Sequence, residues 1–105
     1  MNIIVSPHFV KLITFGFAGA ITLYPLGIFL RSEKYLEYKD TMNHELIHWQ
    51  QQKELLCIPF YLLYLWFWIV RLGYRNIPFE KEAYQNQLDE NYLDNRKKHA
   101  WKLYL

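Results

Sequence analysis

The sequence predicts a small α+β domain covering residues 1–105, with three main helices and a short N-terminal antiparallel sheet or hairpin. Three observations carry that expectation. β-branched and apolar residues gather before residue 30, a helical pattern free of Gly and Pro begins near residue 40, and 52% of the 105 residues are hydrophobic. A chain of this length makes one domain, since domains usually run to roughly 100–150 residues. Aromatic residues make up 19% of it, too many for a disordered chain. The formal charges nearly cancel, 12 − 10 = +2, so the basic footprint that nucleic acids attract is missing.

Each element has a local cause. Residues 2–5 are β-branched and apolar and read as a strand that Ser6 and Pro7 end. Residues 20–30 are rich in strand formers but carry Pro25 and Gly27. Proline cannot donate to a ladder, so this stretch suits a sheet edge. Residues 11–20 admit a helix as well. From Asp40 the pattern is helical, with Asp40 or Thr41 as amino-terminal cap and no breaker over residues 42–56. Met42, Leu46 and Trp49 form one stripe, and His44, Ile47, His48, Gln51 and Leu55 form another, which predicts a helix covered on two sides. Pro59 marks a kink or a new start. Residues 60–72 are apolar all round and read as a buried central helix or a membrane-inserted one. Gly73 is a natural stop. Asn76 and Pro78 announce a third helix from about Phe79 to Tyr92 or beyond. The basic tail, residues 96–105, reads as a solvated helix face.

Cys57 is the one cysteine, which excludes an intramolecular disulfide and a Cys-rich zinc ribbon. Any metal must be held by imidazole and carboxylate. No side-chain cation precedes the first apolar run, so a cleaved secretory signal is not expected and a cytoplasmic setting is the default. Residues 12–30 and 55–70 are uncharged and keep membrane contact open, although a spanning helix needs about 20 unbroken apolar residues. The rings outnumber what so small a core can bury. The surplus is expected to line a substrate groove, a homodimer contact or a bilayer.

Residues 44–48 read H-E-L-I-H. On a helix, positions i and i+4 share a face about 5–6 Å apart at Cβ. Two imidazoles at that spacing can chelate one zinc at about 2.0–2.1 Å. Glu45, one step round the helix, can reach a zinc-bound water without being a ligand. Shuffling this composition produces the pattern about 0.01 times per chain, so context has to support it. The context is a predicted helix, histidines on an inward stripe, and a third ligand candidate in P-F-E-K-E-A-Y, residues 78–84. Glu80 and Glu82 lie about 200° apart on a helix, so one metal can take only one of them. Glu80 adjoins Phe79, Ala83 and Tyr84 on the core-facing stripe. Glu82 adjoins Gln85, Asn86 and Asp89, a wet face. The wheel favours Glu80 and leaves Glu82 as the alternative.

H-E-L-I-H followed on a later helix by E-K-E-A-Y resembles the gluzincin group of zinc metallopeptidases. The small size resembles the minigluzincins, and the apolar stretches resemble the membrane-bound CAAX prenyl protease and BlaR-type peptidases. The resemblance covers about residues 40–90. It implies a zincin-like fold in which His44, His48 and a downstream Glu bind zinc and Glu45 is the general base. The larger families carry E-x-x-x-D with its first Glu as ligand, which again selects Glu80 and puts Tyr84 where Asp stands. It also implies an edge strand beside the zinc that pairs with an extended substrate, for which residues 20–30 are the candidate.

His8 and His99 are expected at the surface. Gln51 lies on the ligand face, and Tyr84 and Tyr92 are the nearest donors for a developing oxyanion. Two readings stay open. One is a zinc-dependent metallopeptidase acting on a peptide or protein; the other is a zincin-fold binding module without turnover, membrane-associated or protein-binding.

Overall fold

Strand β1 (Ile3–Val5) leads through Ser6 into helix α1 (Pro7–Ile13), in a computed structural model that describes residues 2–14 and 18–105. Pro7 opens α1, where its missing amide would lack an intrahelical partner anyway. Residues 15–17, the middle of the stretch that admitted a helix, lie outside the described residues. Strands β2 (Ala20–Leu23) and β3 (Gly27–Leu30) form the expected antiparallel hairpin, with Ile21 opposite Phe29 and Thr22 opposite Ile28.

β1 then adds to the free side of β3 in parallel, Ile3 beside Ile28, so the sheet is mixed and ordered β1-β3-β2. The crossover through α1 sets that direction, which composition alone could not show. Gly27 permits the approach. Its φ is +146°, and a Cβ there would stand 2.3 Å from the Asn2 carbonyl oxygen.

Helix α2 (Lys39–Leu55) starts slightly ahead of the expected cap. Tyr38 is the capping residue and offers no side-chain bond, while Asp40 sits in the first turn and complements the helix dipole. α2 ends where Leu56 adopts φ +68°, and the chain bends by 110° into α3 (Cys57–Arg71). Pro59 therefore lies in the first turn of α3 and not at the break. Leu72 and Gly73, both at positive φ, stop α3 as the glycine predicts. The third main helix, α4 (Pro78–Asn86), is shorter than expected, and Tyr92–Asn95 forms a separate turn, α5. A 3-10 turn, Ala100–Tyr104, ends the chain.

The core joins Phe60 of α3, Ile77, Phe79 of α4 and Trp101 of the last turn. Phe60 and Phe79 have ring centroids 4.5 Å apart, and Phe79 and Trp101 4.8 Å. α3 is not the central helix its composition suggests. It buries Phe60 and leaves Ile58, Leu62, Trp66 and Ile69 exposed on the opposite side. No single described helix is long and apolar enough to cross a membrane. The tail also differs from a solvated face, because Arg96 is buried in ion pairs and Ala100 and Trp101 are buried.

Candidate metal centre

α2 runs beneath the edge strand β2 and beside α4, so its 44/48 face looks across at residue 80. His44 Nε2 and His48 Nε2 are 3.2 Å apart, and each lies 3.0 Å from Glu80 Oε1. All three residues are buried. Among the described residues they form the group able to hold a metal ion. Tetrahedral bonds of about 2.0–2.1 Å put ligand atoms about 3.3–3.4 Å apart, so the cluster fits zinc after opening by a few tenths of an ångström.

The outer partners fix which atoms face the metal. Gln51 Nε2 donates to the Phe79 carbonyl at 3.0 Å and to Glu82 Oε1 at 2.9 Å. Both partners can only accept, so the amide oxygen must face His48 Nδ1, 2.8 Å away. His48 Nδ1 therefore carries a proton, and Nε2 is the ring nitrogen that faces the cluster. Gln87 Oε1 does the same for His44 Nδ1 at 2.7 Å. Tyr64 Oη donates to Glu80 Oε2 at 2.6 Å, which leaves Oε1 facing the two imidazoles. Each candidate ligand is thus oriented by a second group, as metal sites require. Gln87 fills the orienting role that the Asp of E-x-x-x-D would have, while Tyr84 lies edge-on against the His44 ring with centroids 4.5 Å apart.

Glu82 is placed differently from the wet face its neighbours suggest. It is fully buried, stands outside the metal-capable group, and anchors Gln51. Its Oε2 accepts from Tyr92 Oη and Arg96 Nε, both at 2.5 Å. Tyr92 is thereby taken up in that network, away from the cavity where an oxyanion donor would be needed. His8 and His99 stand outside the cluster.

Glu45 is buried beside the ligands, and its Oε1 lies 2.8 Å from the Thr22 hydroxyl of β2. A cavity of about 490 Å³ opens over His44, Glu45, His48 and Glu80, and Ala20, Tyr64 and Tyr84 contribute to its walls. That volume suits a ligand site. Burial pushes the Tyr84 phenol up to about 12, with its Oη 2.5 Å from that of Tyr74, so it stays a proton donor at neutral pH.

Burial alone would discharge His48. The Glu80 charge and hydrogen bond, with smaller help from Glu45 and Gln51, override it and push the imidazole up to about 9. Burial would likewise raise Glu80, but the His48 charge and hydrogen bonds from both imidazoles hold it below the usual carboxylate range. No family model, curated protein or solved structure matches the chain, and the functional reading grows from these residues.

Proposed function

We propose that this chain is a zinc-dependent metallopeptidase of gluzincin type, with His44, His48 and Glu80 as metal ligands and Glu45 as general base toward a peptide or protein substrate. The observation that carries this reading is the convergence of three oriented ligand atoms at the floor of a cavity that Glu45 shares. Two nitrogens and one oxygen with an open side suit catalytic zinc. Zinc bound there supplies Lewis acidity, polarising a carbonyl and acidifying water. The Glu45 carboxylate accepts the proton that water gives up on attack and returns it to the leaving amine. The Thr22 hydroxyl steadies that carboxylate, and Tyr84, which borders the same cavity, is the candidate donor to a developing oxyanion.

The test is zinc content and peptide cleavage in paired variants. Glu45→Gln is expected to keep one zinc per chain and to lose about 10²–10⁴-fold in cleavage rate, the usual contribution of general base catalysis. His44→Ala is expected to lose the zinc. A wild-type chain that takes up no zinc at neutral pH removes the reading, as does unchanged cleavage by Glu45→Gln.

The outer face of α3 favours a membrane-associated setting, for the enzyme or for a binding module alike. Ile58 is 74% exposed, Leu62 65% and Ile69 64%. A contiguous apolar patch on that scale marks a contact surface. No acidic residue lies between Glu54 and Glu80, whereas Arg71 and Arg75 do, which suits an anionic surface. Binding to phosphatidylserine vesicles is the expected result, and its loss in Leu62→Glu/Ile69→Glu. A chain that stays off vesicles and dimerises through this face would assign the patch to a second copy instead.

A further inference from the structure

Gln52 is fully buried yet takes no part in the metal cluster. Its Nε2 donates to the Thr22 carbonyl at 2.8 Å, and its Oε1 accepts the Tyr24 amide at 2.7 Å. Tyr61 Oη donates to the same Thr22 carbonyl at 2.6 Å. These groups lie on the outer edge of β2, away from β3, because alternate residues of a strand turn their N–H and C=O to opposite edges. The side-chain amide of Gln52 thus occupies the place that a peptide group of a fourth strand would take. From the Thr22 carbonyl onward the edge is filled.

Toward the start of the strand the edge is different. Ala20 shares the outward orientation of Thr22, two residues on. No hydrogen bond from another described residue reaches the Ala20 N–H, the Ala20 carbonyl or the Thr22 N–H on that side. Ala20 and Thr22 also border the same cavity as His44, Glu45 and Glu80. An edge with unpaired groups is a template for an extended chain. Antiparallel pairing is the more stable per residue. A chain antiparallel to β2 has its amino-terminal side at Thr22, against Gln52 and Tyr61.

We propose that Gln52 and Tyr61 close the amino-terminal side of this short open edge, so that an extended peptide lying antiparallel to β2 is taken only close to its free amino end. The proposal rests on the peptide-hydrolysing reading of the metal centre and assigns Gln52 the role of limiting substrate length on one side.

Zinc-loaded Glu45→Gln separates binding from turnover. It is titrated with a randomised decapeptide pool carrying streptavidin-bound biotin on the first or on the last residue. Bulk on the first residue is expected to weaken binding about tenfold, the loss of two or three backbone bonds, and bulk on the last residue to leave it unchanged. Adding Gln52→Ala frees the Tyr24 amide while Tyr61 still covers the Thr22 carbonyl, and is expected to shrink that difference. Equal binding of both pools, a penalty on the last residue, an undiminished difference in folded Gln52→Ala, or no binding of either pool would each overturn the proposal. The comparison within Glu45→Gln decides the matter should Gln52→Ala not fold. Clear end dependence without cleavage by the wild-type chain would remove hydrolysis and keep the binding mode.

Discussion

Glu80→Gln is expected to weaken zinc binding by more than about hundredfold and to shift its dependence on pH. Losing an outer partner of a ligand alone costs about 10–100-fold, and Glu80 stands between both imidazoles at 3.0 Å as the anionic member of the trio. It also sets the proton competition. With the imidazole pushed up to about 9, His48 Nε2 in the metal-free protein carries a proton that zinc has to displace. The His48–Glu80 pair therefore stabilises the metal-free fold fully only between about pH 4.5 and 6.5, the ordinary values of its two groups, and weakens below that window as Glu80 takes up a proton. That contribution is lost as pH rises through about 9. Zinc affinity runs the other way, rising about tenfold per pH unit from roughly 6.5 to 9 and levelling above. In Glu80→Gln the group that holds the proton is gone, burial prevails, and the rise moves below pH 6.5. Competition titrations against a zinc chelator across this range measure both effects. Affinity independent of pH in the wild-type chain, or tight zinc binding by Glu80→Gln, would contradict the assignment.

The parts of this site that were legible in the sequence are those set by one helix at a time. H-E-L-I-H needs only helical periodicity to place two imidazoles together, and the wheel of α4 separates Glu80 from Glu82. Gln51, three residues after His48, follows from the same spacing. Gln87 sits seven residues after Glu80, two turns along the same stripe, a spacing that signals the His44 partner where position 84 holds no Asp. The role of Glu82 was hidden for another reason. Its neighbours on α4 are polar, but the face they form is covered by Tyr92 and Arg96 from a segment that folds back over it. Wheel arguments cannot see a covering element that arrives from later in the chain. Thr22 was unreadable in the same way, since its partner Glu45 is brought to it only when β2 packs on α2. The one-sided burial of α3 left no trace either, because a segment apolar all round has no periodicity from which to pick the inward face. At the level of fold class, periodicity and punctuation sufficed for α+β with three main helices, and only the parallel seat of β1 depended on a non-local crossover.

Arg96→Ala is expected to cost about 3–5 kcal/mol of folding stability, the range for removing one partner of a buried ion pair. For a domain of this size that is a large share of the total of about 5–15 kcal/mol. The side chain is 3% exposed and its guanidinium lies between two carboxylates, Glu54 at 2.8 and 3.1 Å and Glu82 at 2.5 and 3.2 Å. Burial would disfavour its charge, but the hydrogen bonds and charges of Glu82 and Glu54 more than restore it, so it stays ionised. Without it two buried carboxylates face each other with no cation. Arg96→Lys is expected to recover little, because one ammonium cannot fork to both carboxylates as the planar guanidinium does. Adding Glu82→Gln to Arg96→Met removes one of the two stranded charges and is expected to regain part of the loss. The damage should also reach the metal. Glu82 holds the Gln51 amide that orients His48, so a destabilised but still folded Arg96→Lys is expected to bind zinc about 10–100-fold more weakly. Urea unfolding of the metal-free variants and zinc titration of the folded ones read the two consequences separately. A stability loss under about 1 kcal/mol would mean that the pairs behave as solvent-screened surface contacts, and unchanged zinc affinity in Arg96→Lys would break the link from Arg96 through Glu82 and Gln51 to the imidazole.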